Sequence, residues 1–253
     1  MDVDEHAPAF RLHAAVGIDD SPYERFSDSG AELRTRSGAR IHIDRGAGTV
    51  RFVAPQPLHA EELVHPYLAP AAAVIARWHG QESLHAGAIA VGGTAWGLIG
   101  DREAGKSSTL AWLVRNGAGL VCDDMLVLEG ARVLPGPRSI DLRPDAAARL
   151  GLGESIPVSG ARARWRLRAG PVPRDLRFGG WILLEWGDEP ALEPLRGRER
   201  LAVLLEHRGV RLAPARPEAV MDYAELPAWR LRRPRGWDGL ASAGRRLLEL
   251  TGA

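Results

Sequence analysis

Alternation of apolar and polar residues dominates the first part of the chain. FRLHAAV, AELRTR, ARIHIDR and TVRFVA repeat with a period of two, and the breaks between them include Ser37-Gly38 and Gly46-Ala47-Gly48, which suit turns. The pattern predicts antiparallel strands over residues 1 to 57, ended by Pro55 and Pro57. From there the spacing becomes helical in HAEELVHPYLAPAAAVIARWHG, a helix expected to reach Gly80 with interruptions near Pro66 and Pro70. LHAGAIAV and TAWGLIG read as two strands joined by Gly92-Gly93, a pair that closes a tight hairpin.

The second of these strands runs straight into GDREAGKS. A helix is expected from Ser107 to Asn116, ended by Gly117, and GLVCDD then forms a short buried strand that finishes in two carboxylates. MLVLEGARVL reads as strand, turn and strand, and PGPRSIDLRPDAAARLG as a loop leading into a short helix. The stretch 161–180 holds six arginines and one acid, and WILLEW follows as an apolar strand. RERLAVLLEH is helix-like, AWRLRR strand-like, and LASAGRRLLEL supplies a final helix. These elements predict an α/β protein with a β-rich N-terminal region and helix over 1–82 and a core over 83–253. No internal repeat or long linker divides the chain further.

Composition narrows the class. The 253 residues are 45% hydrophobic and 26% charged, which fits a globular protein able to bury a real core. Basic and acidic residues number 33 and 32, so the net charge of +1 gives no general attraction to nucleic acid or an anionic membrane. Cys122 is the single cysteine, which excludes an intramolecular disulfide framework, and no apolar run approaches the ~20 residues that span a bilayer. The acidic start MDVDEHAPAF does not read as a secretory leader, so a cytoplasmic protein is expected.

One count is sharper. Lys106 is the only lysine, and every other basic residue among the 33 is arginine. A GC-rich coding bias explains arginine wherever any positive charge suffices, but not the exception. A phosphate-loop lysine lies along its loop and places a compact ammonium between phosphates, where a planar guanidinium does not fit.

Lys106 stands in such a loop. Gly100, Asp101, Arg102, Glu103, Ala104, Gly105, Lys106 and Ser107 match the Walker A pattern G-x-x-x-x-G-K-[ST] at every fixed position, between an apolar strand and a helix. Main-chain amides and the positive end of the helix then converge on the phosphates of a nucleotide, ATP in the first instance. Lys106 is expected to bridge the terminal phosphates, Ser107 to ligate Mg²⁺, and Ser108 to assist from the first turn. Asp123 and Asp124 end a strand that runs parallel to the loop strand. One acid suffices for Mg²⁺ in a switch NTPase, whereas a kinase needs a second to take the proton of the acceptor hydroxyl. Which aspartate plays which part stays open. His85 lies on a strand expected beside the loop and either reaches the γ-phosphate or the metal's water shell or is structural. Arg138, Arg143, Arg162, Arg164, Arg166 and Arg168 are candidates to balance phosphate charge, although in so arginine-rich a chain most such residues are solvated.

LHAGAIAV, GDREAGKSS and GLVCDDMLVLEG, in this order and spacing, resemble the catalytic core of the HPr kinase/phosphorylase family over about residues 83–145. The interval of 17 residues from Lys106 to Asp123 is characteristic of that family. The resemblance implies a P-loop kinase core of the HPr kinase and phosphoenolpyruvate-carboxykinase-like type. It makes His85 an active-site residue and Asp123 and Asp124 the general base and metal contact. The first 80 residues do not resemble the N-terminal domain of the full-length bifunctional enzymes, and no copy of their phosphorylase signature follows residue 145. The short form is more similar to stand-alone homologues that phosphorylate a serine of a precursor peptide in lasso-peptide and other ribosomal-peptide pathways. The expected partner is therefore a precursor peptide, with no nucleic acid or membrane, and a homo-oligomer is compatible with the sequence. A kinase of free serine or a related metabolite, and a nucleotide-dependent regulatory protein, are the alternatives.

Overall fold

The protein is described by a computed structural model covering residues 10–17, 25–35, 38–158, 163–210 and 212–252. It comprises two compact units, Met1–Ile75 with Pro157–Arg162, and Ala76–Ile156 with Ala163–Ala253.

The smaller unit is a five-stranded sheet of β1 (Arg11–Val16), β2 (Arg25–Phe26), β3 (Gly30–Arg34), β4 (Arg40–Asp44) and β5 (Thr49–Ala54), in the order β1-β5-β4-β3-β2. Alternation along β4 and β5 buries Ile41, Ile43, Val50 and Phe52 on one face. Neighbours from β2 to β5 are antiparallel as expected, but β1 pairs parallel with β5. Alternation determines which face is buried and is silent on direction; with three strands between them in the chain, β1 and β5 are free of the hairpin constraint. The following helix is broken as its prolines suggest. A turn α1 (Ala60–Glu62) leads into a wide segment, Leu63–Tyr67, where His65 leaves helical geometry before Pro66, and α2 (Leu68–Trp78) follows. Pro70 does not interrupt α2, because it lies in the first turn, where its missing N–H has no helical acceptor.

The larger unit is mixed α/β. In chain order it contains β6 (Glu82–Leu84), β7 (Gly87–Val91), β8 (Thr94–Ile99), α3 (Lys106–Arg115), β9 (Gly119–Cys122), β10 (Leu126–Glu129) and β11 (Arg132–Leu134). Then come β12 (Ser139–Leu142), α4 (Pro144–Leu150), β13 (Glu154–Ile156), β14 (Arg164–Arg168) and β15 (Arg177–Trp186). It ends with β16 (Ala191–Pro194), α5 (Arg198–Glu206), α6 (Pro217–Glu225), β17 (Ala228–Arg233) and α7 (Asp238–Thr251).

A nine-stranded sheet runs β6-β10-β11-β15-β8-β7-β9, with β17 on β15 and β16 on β17. β8, β15 and β17 are mutually parallel, so their carboxyl ends open on the same edge of the sheet. Gly92 and Gly93, at φ 55° and 80°, turn the β7–β8 hairpin as the sequence predicts. The unbroken apolar run of β15 reflects burial on both faces. Phe178, Trp181 and Leu183 pack with Leu204 of α5 and Ala219, Tyr223 and Ala224 of α6. Ile182 and Leu184 pack on the opposite side with Leu110 and Leu113 of α3 and Ala243 and Leu247 of α7. Each such aliphatic side chain contributes about 1.5–3 kcal/mol when fully buried. Residues 139–142, expected as loop, form β12, which pairs with β14.

Candidate nucleotide and phosphoryl-transfer site

β8 delivers the chain to Gly100, and α3 departs at Lys106. Gly105 stands as the residue before α3 at φ 85°, a left-handed conformation that glycine adopts without strain, and no side chain caps the helix. The amides of the first turn therefore lack an intrahelical acceptor, which is the condition for anion binding. Asp101, Arg102 and Glu103 are exposed on the loop, Ala104 is buried beneath it, and Lys106, Ser107 and Ser108 are half-buried at the start of α3. Lys106 lies back along the loop, its Nζ donating to the carbonyls of Gly100 at 2.5 Å and Asp101 at 3.4 Å. Burial lowers the Lys106 pKa, opposed by Asp124, Asp123 and Asp101.

The acid pair reaches the loop because β9 lies one strand beyond β7, the neighbour of β8. Close packing makes this work: a Cβ on Gly87 would stand 2.8 Å from the carbonyl oxygen of Asp123. Ser107 donates its hydroxyl to Asp123 Oδ1 at 3.0 Å, and Asp123 Oδ2 accepts the amide of Asp141 at 3.3 Å. Asp124 turns the other way, to His85 Nδ1 at 3.2 Å. His85 sits between β6 and β7, its amide donating to the carbonyl of His207 at 2.7 Å. Burial lowers the pKa of His85, with Asp124 opposing. Lys106, Ser107, Asp123, Asp124 and His85 thus share one edge of the sheet.

The donors fit Mg²⁺ by their chemistry. Octahedral Mg–O distances of about 2.0–2.1 Å put adjacent ligand oxygens about 2.9 Å apart. The Ser107 and Asp123 oxygens are separated by 3.0 Å. Among the described residues no cluster of three or more His, Cys, Asp or Glu side chains is arranged for a metal.

The arginines divide differently from the sequence expectation. Arg166 is not a solvated member of a basic face: it is buried and holds Asp141 through two bonds of 2.6 and 2.7 Å. Arg143 pairs with Glu103 at 2.6 Å, which raises its pKa and lowers that of Glu103. Arg138 is exposed, and Arg162 lies outside the described residues. Four participants had no local signal in the sequence. Asp141 braces Asp123, as above. His207 faces the loop, with Nε2 3.7 Å from Asp101 Oδ1. Trp186 Nε1 donates to the carbonyl of Glu103 at 3.2 Å. Arg233 stacks on Trp186, its Cζ 4.2 Å from the ring centre.

No protein-family model matches the chain, and no curated protein matches it. Among solved structures, the chain is similar to the HPr(Ser) kinase/phosphatase from Coxiella burnetii at 12% identity. The match covers 68% of this chain and 99% of that one, with a TM-score of 0.29.

Proposed function

We propose that the chain is a kinase that transfers the γ-phosphoryl group of Mg·ATP to a serine hydroxyl. The observation that carries this reading is the division of labour between the adjacent acids: Asp123 turns to the Ser107 hydroxyl and Asp124 turns to His85. Asp123 and Ser107 would hold the metal, which neutralises charge on the phosphates. Lys106 and the uncapped amides of α3 orient the triphosphate. Asp124, positioned by His85, accepts the proton as the serine oxygen attacks the γ-phosphorus. The bond from that phosphorus to the bridging oxygen breaks, and the nucleoside diphosphate leaves with the electron pair.

His85 and Asp124 keep 45% and 31% of their side-chain surface exposed, so the acceptor end of the site is open to solvent. That exposure favours a hydroxyl carried on a peptide over a small metabolite in a closed chamber. The resemblance in the sequence points the same way, to a precursor peptide of the ribosomally made, lasso-peptide type.

The test is transfer of label from γ-labelled ATP to serine-containing precursor peptides and, in parallel, to free serine, read by intact mass. Asp123→Asn and Asp124→Asn are expected to lower transfer by at least about 100-fold, the first by weakening the hold on the metal and the second by loss of the general base. Asp124→Asn should leave nucleotide affinity close to wild type, and Lys106→Ala should weaken it. Full activity in both aspartate variants would refute the mechanism, and turnover of free serine without peptide would refute the acceptor class.

A further inference from the structure

Arg233 ends β17 and is buried, at 3% exposure of the residue. It is a buried cation for which the described residues provide no counter-ion. Its Nε is buried without a hydrogen-bond partner, and its guanidinium stacks on Trp186. Burial alone pushes its pKa down, to about 10, with no acid opposing it. A buried guanidinium normally takes a carboxylate or phosphate in a fork of hydrogen bonds.

Its position indicates what is missing. A Cβ on Gly105 would overlap the Arg233 guanidinium, so the group lies directly against the main chain of the phosphate loop. Trp186 pairs with Arg233 in the β15–β17 register, and the same indole bonds the Glu103 carbonyl. The ring is thereby bonded to the loop at Glu103, and the guanidinium stacked on it lies beside Gly105. Glu103 itself sits at φ 69°, an unusual conformation for a residue other than glycine.

Resting on the phosphate-loop reading above, we infer that Arg233 is a polyphosphate-binding residue, held against the loop by Trp186 and completed by an oxygen of the nucleotide's phosphate chain. It supplies a second cation at the loop, and its planar fork complements the compact ammonium of Lys106.

The full-length chain, its Arg233→Met and Arg233→Gln variants and Lys106→Ala are titrated calorimetrically with ATP and with inorganic tripolyphosphate. Both Arg233 variants are expected to bind both ligands roughly 10- to 100-fold more weakly, the loss of one charge-assisted contact. Without ligand they should melt at or above the wild-type temperature, because an unpaired buried charge has been removed. Wild-type affinity for tripolyphosphate in either folded variant would overturn the inference. So would a loss confined to ATP, which would place Arg233 at the base or ribose, or a ligand-free melt well below wild type, which would make it a structural brace. Lys106→Ala separates the two levels of argument: if it too binds like wild type, the phosphate-loop reading fails, and if only it weakens, the assignment of Arg233 fails alone.

Discussion

At the residue scale, the orientation of Asp123 depends on a side chain that never touches the loop. Asp141 and Arg166 are both nearly sealed from solvent, at 4% and 2% side-chain exposure, and the amide of Asp141 holds Asp123 Oδ2. Removing one partner of a buried ion pair costs about 3–5 kcal/mol, because the other charge is left in a poorly solvating site. Asp141→Ala is therefore expected to lower the unfolding free energy by that order in denaturant titrations. Asp141→Leu combined with Arg166→Met should recover much of the stability, since an apolar pair of similar volume needs no counter-charge. Phosphoryl transfer in the double variant then shows whether the main-chain amide alone is enough to aim Asp123.

At the element scale, β8, α3 and β9 were legible because their signals are local: an apolar strand, a loop whose glycines are demanded by close approach, and a helix ended by Gly117 at φ 103°. The partners of the site were not. β12 is four residues with an acid among them, too short for a periodic pattern. Arginines alternate along β14, so nothing in its sequence tells that Arg166 points inward. Arg233 meets Trp186 only through the register of two strands far apart in the chain. The helix α6 was also unread, and it buries Tyr223 with its hydroxyl unpartnered. Burial raises the pKa of that phenol from 10.0 to about 12. A raised pKa means that the unfolded chain ionises first as pH rises. The stabilising contribution is therefore full below pH 10 and is lost as pH climbs through about 12. Urea midpoints should fall more steeply over that window for wild type than for Tyr223→Phe. At pH 7 the phenylalanine variant should be at least as stable, because no hydrogen bond is given up.

At the scale of the whole molecule, the residues of the proposed site all fall in one of the two units. His85, the loop from Gly100 to Ser108, Asp123, Asp124, Asp141, Trp186, His207 and Arg233 all belong to Ala76–Ile156 with Ala163–Ala253. So do all eight tryptophans, the first of which is Trp78. Seven of the eight indoles lie well inside the larger unit and only Trp78, at the end of α2, adjoins the smaller one, so indole emission follows chiefly the larger unit and makes the location of nucleotide binding a thermodynamic question with a direct readout. A ligand that binds only the folded form at 100 times its dissociation constant adds about 2.7 kcal/mol. For a unit of this size that raises the melting temperature by roughly 5–10 °C. Melts followed by tryptophan emission should shift by that amount with Mg·ATP, and Lys106→Ala should abolish the shift. A calorimetric scan of the same sample registers both units, so a transition that appears there without an emission change belongs to the smaller one and is expected to stay where it is. A nucleotide-dependent shift of that second transition would mean that the smaller unit also binds, or is coupled to, the ligand.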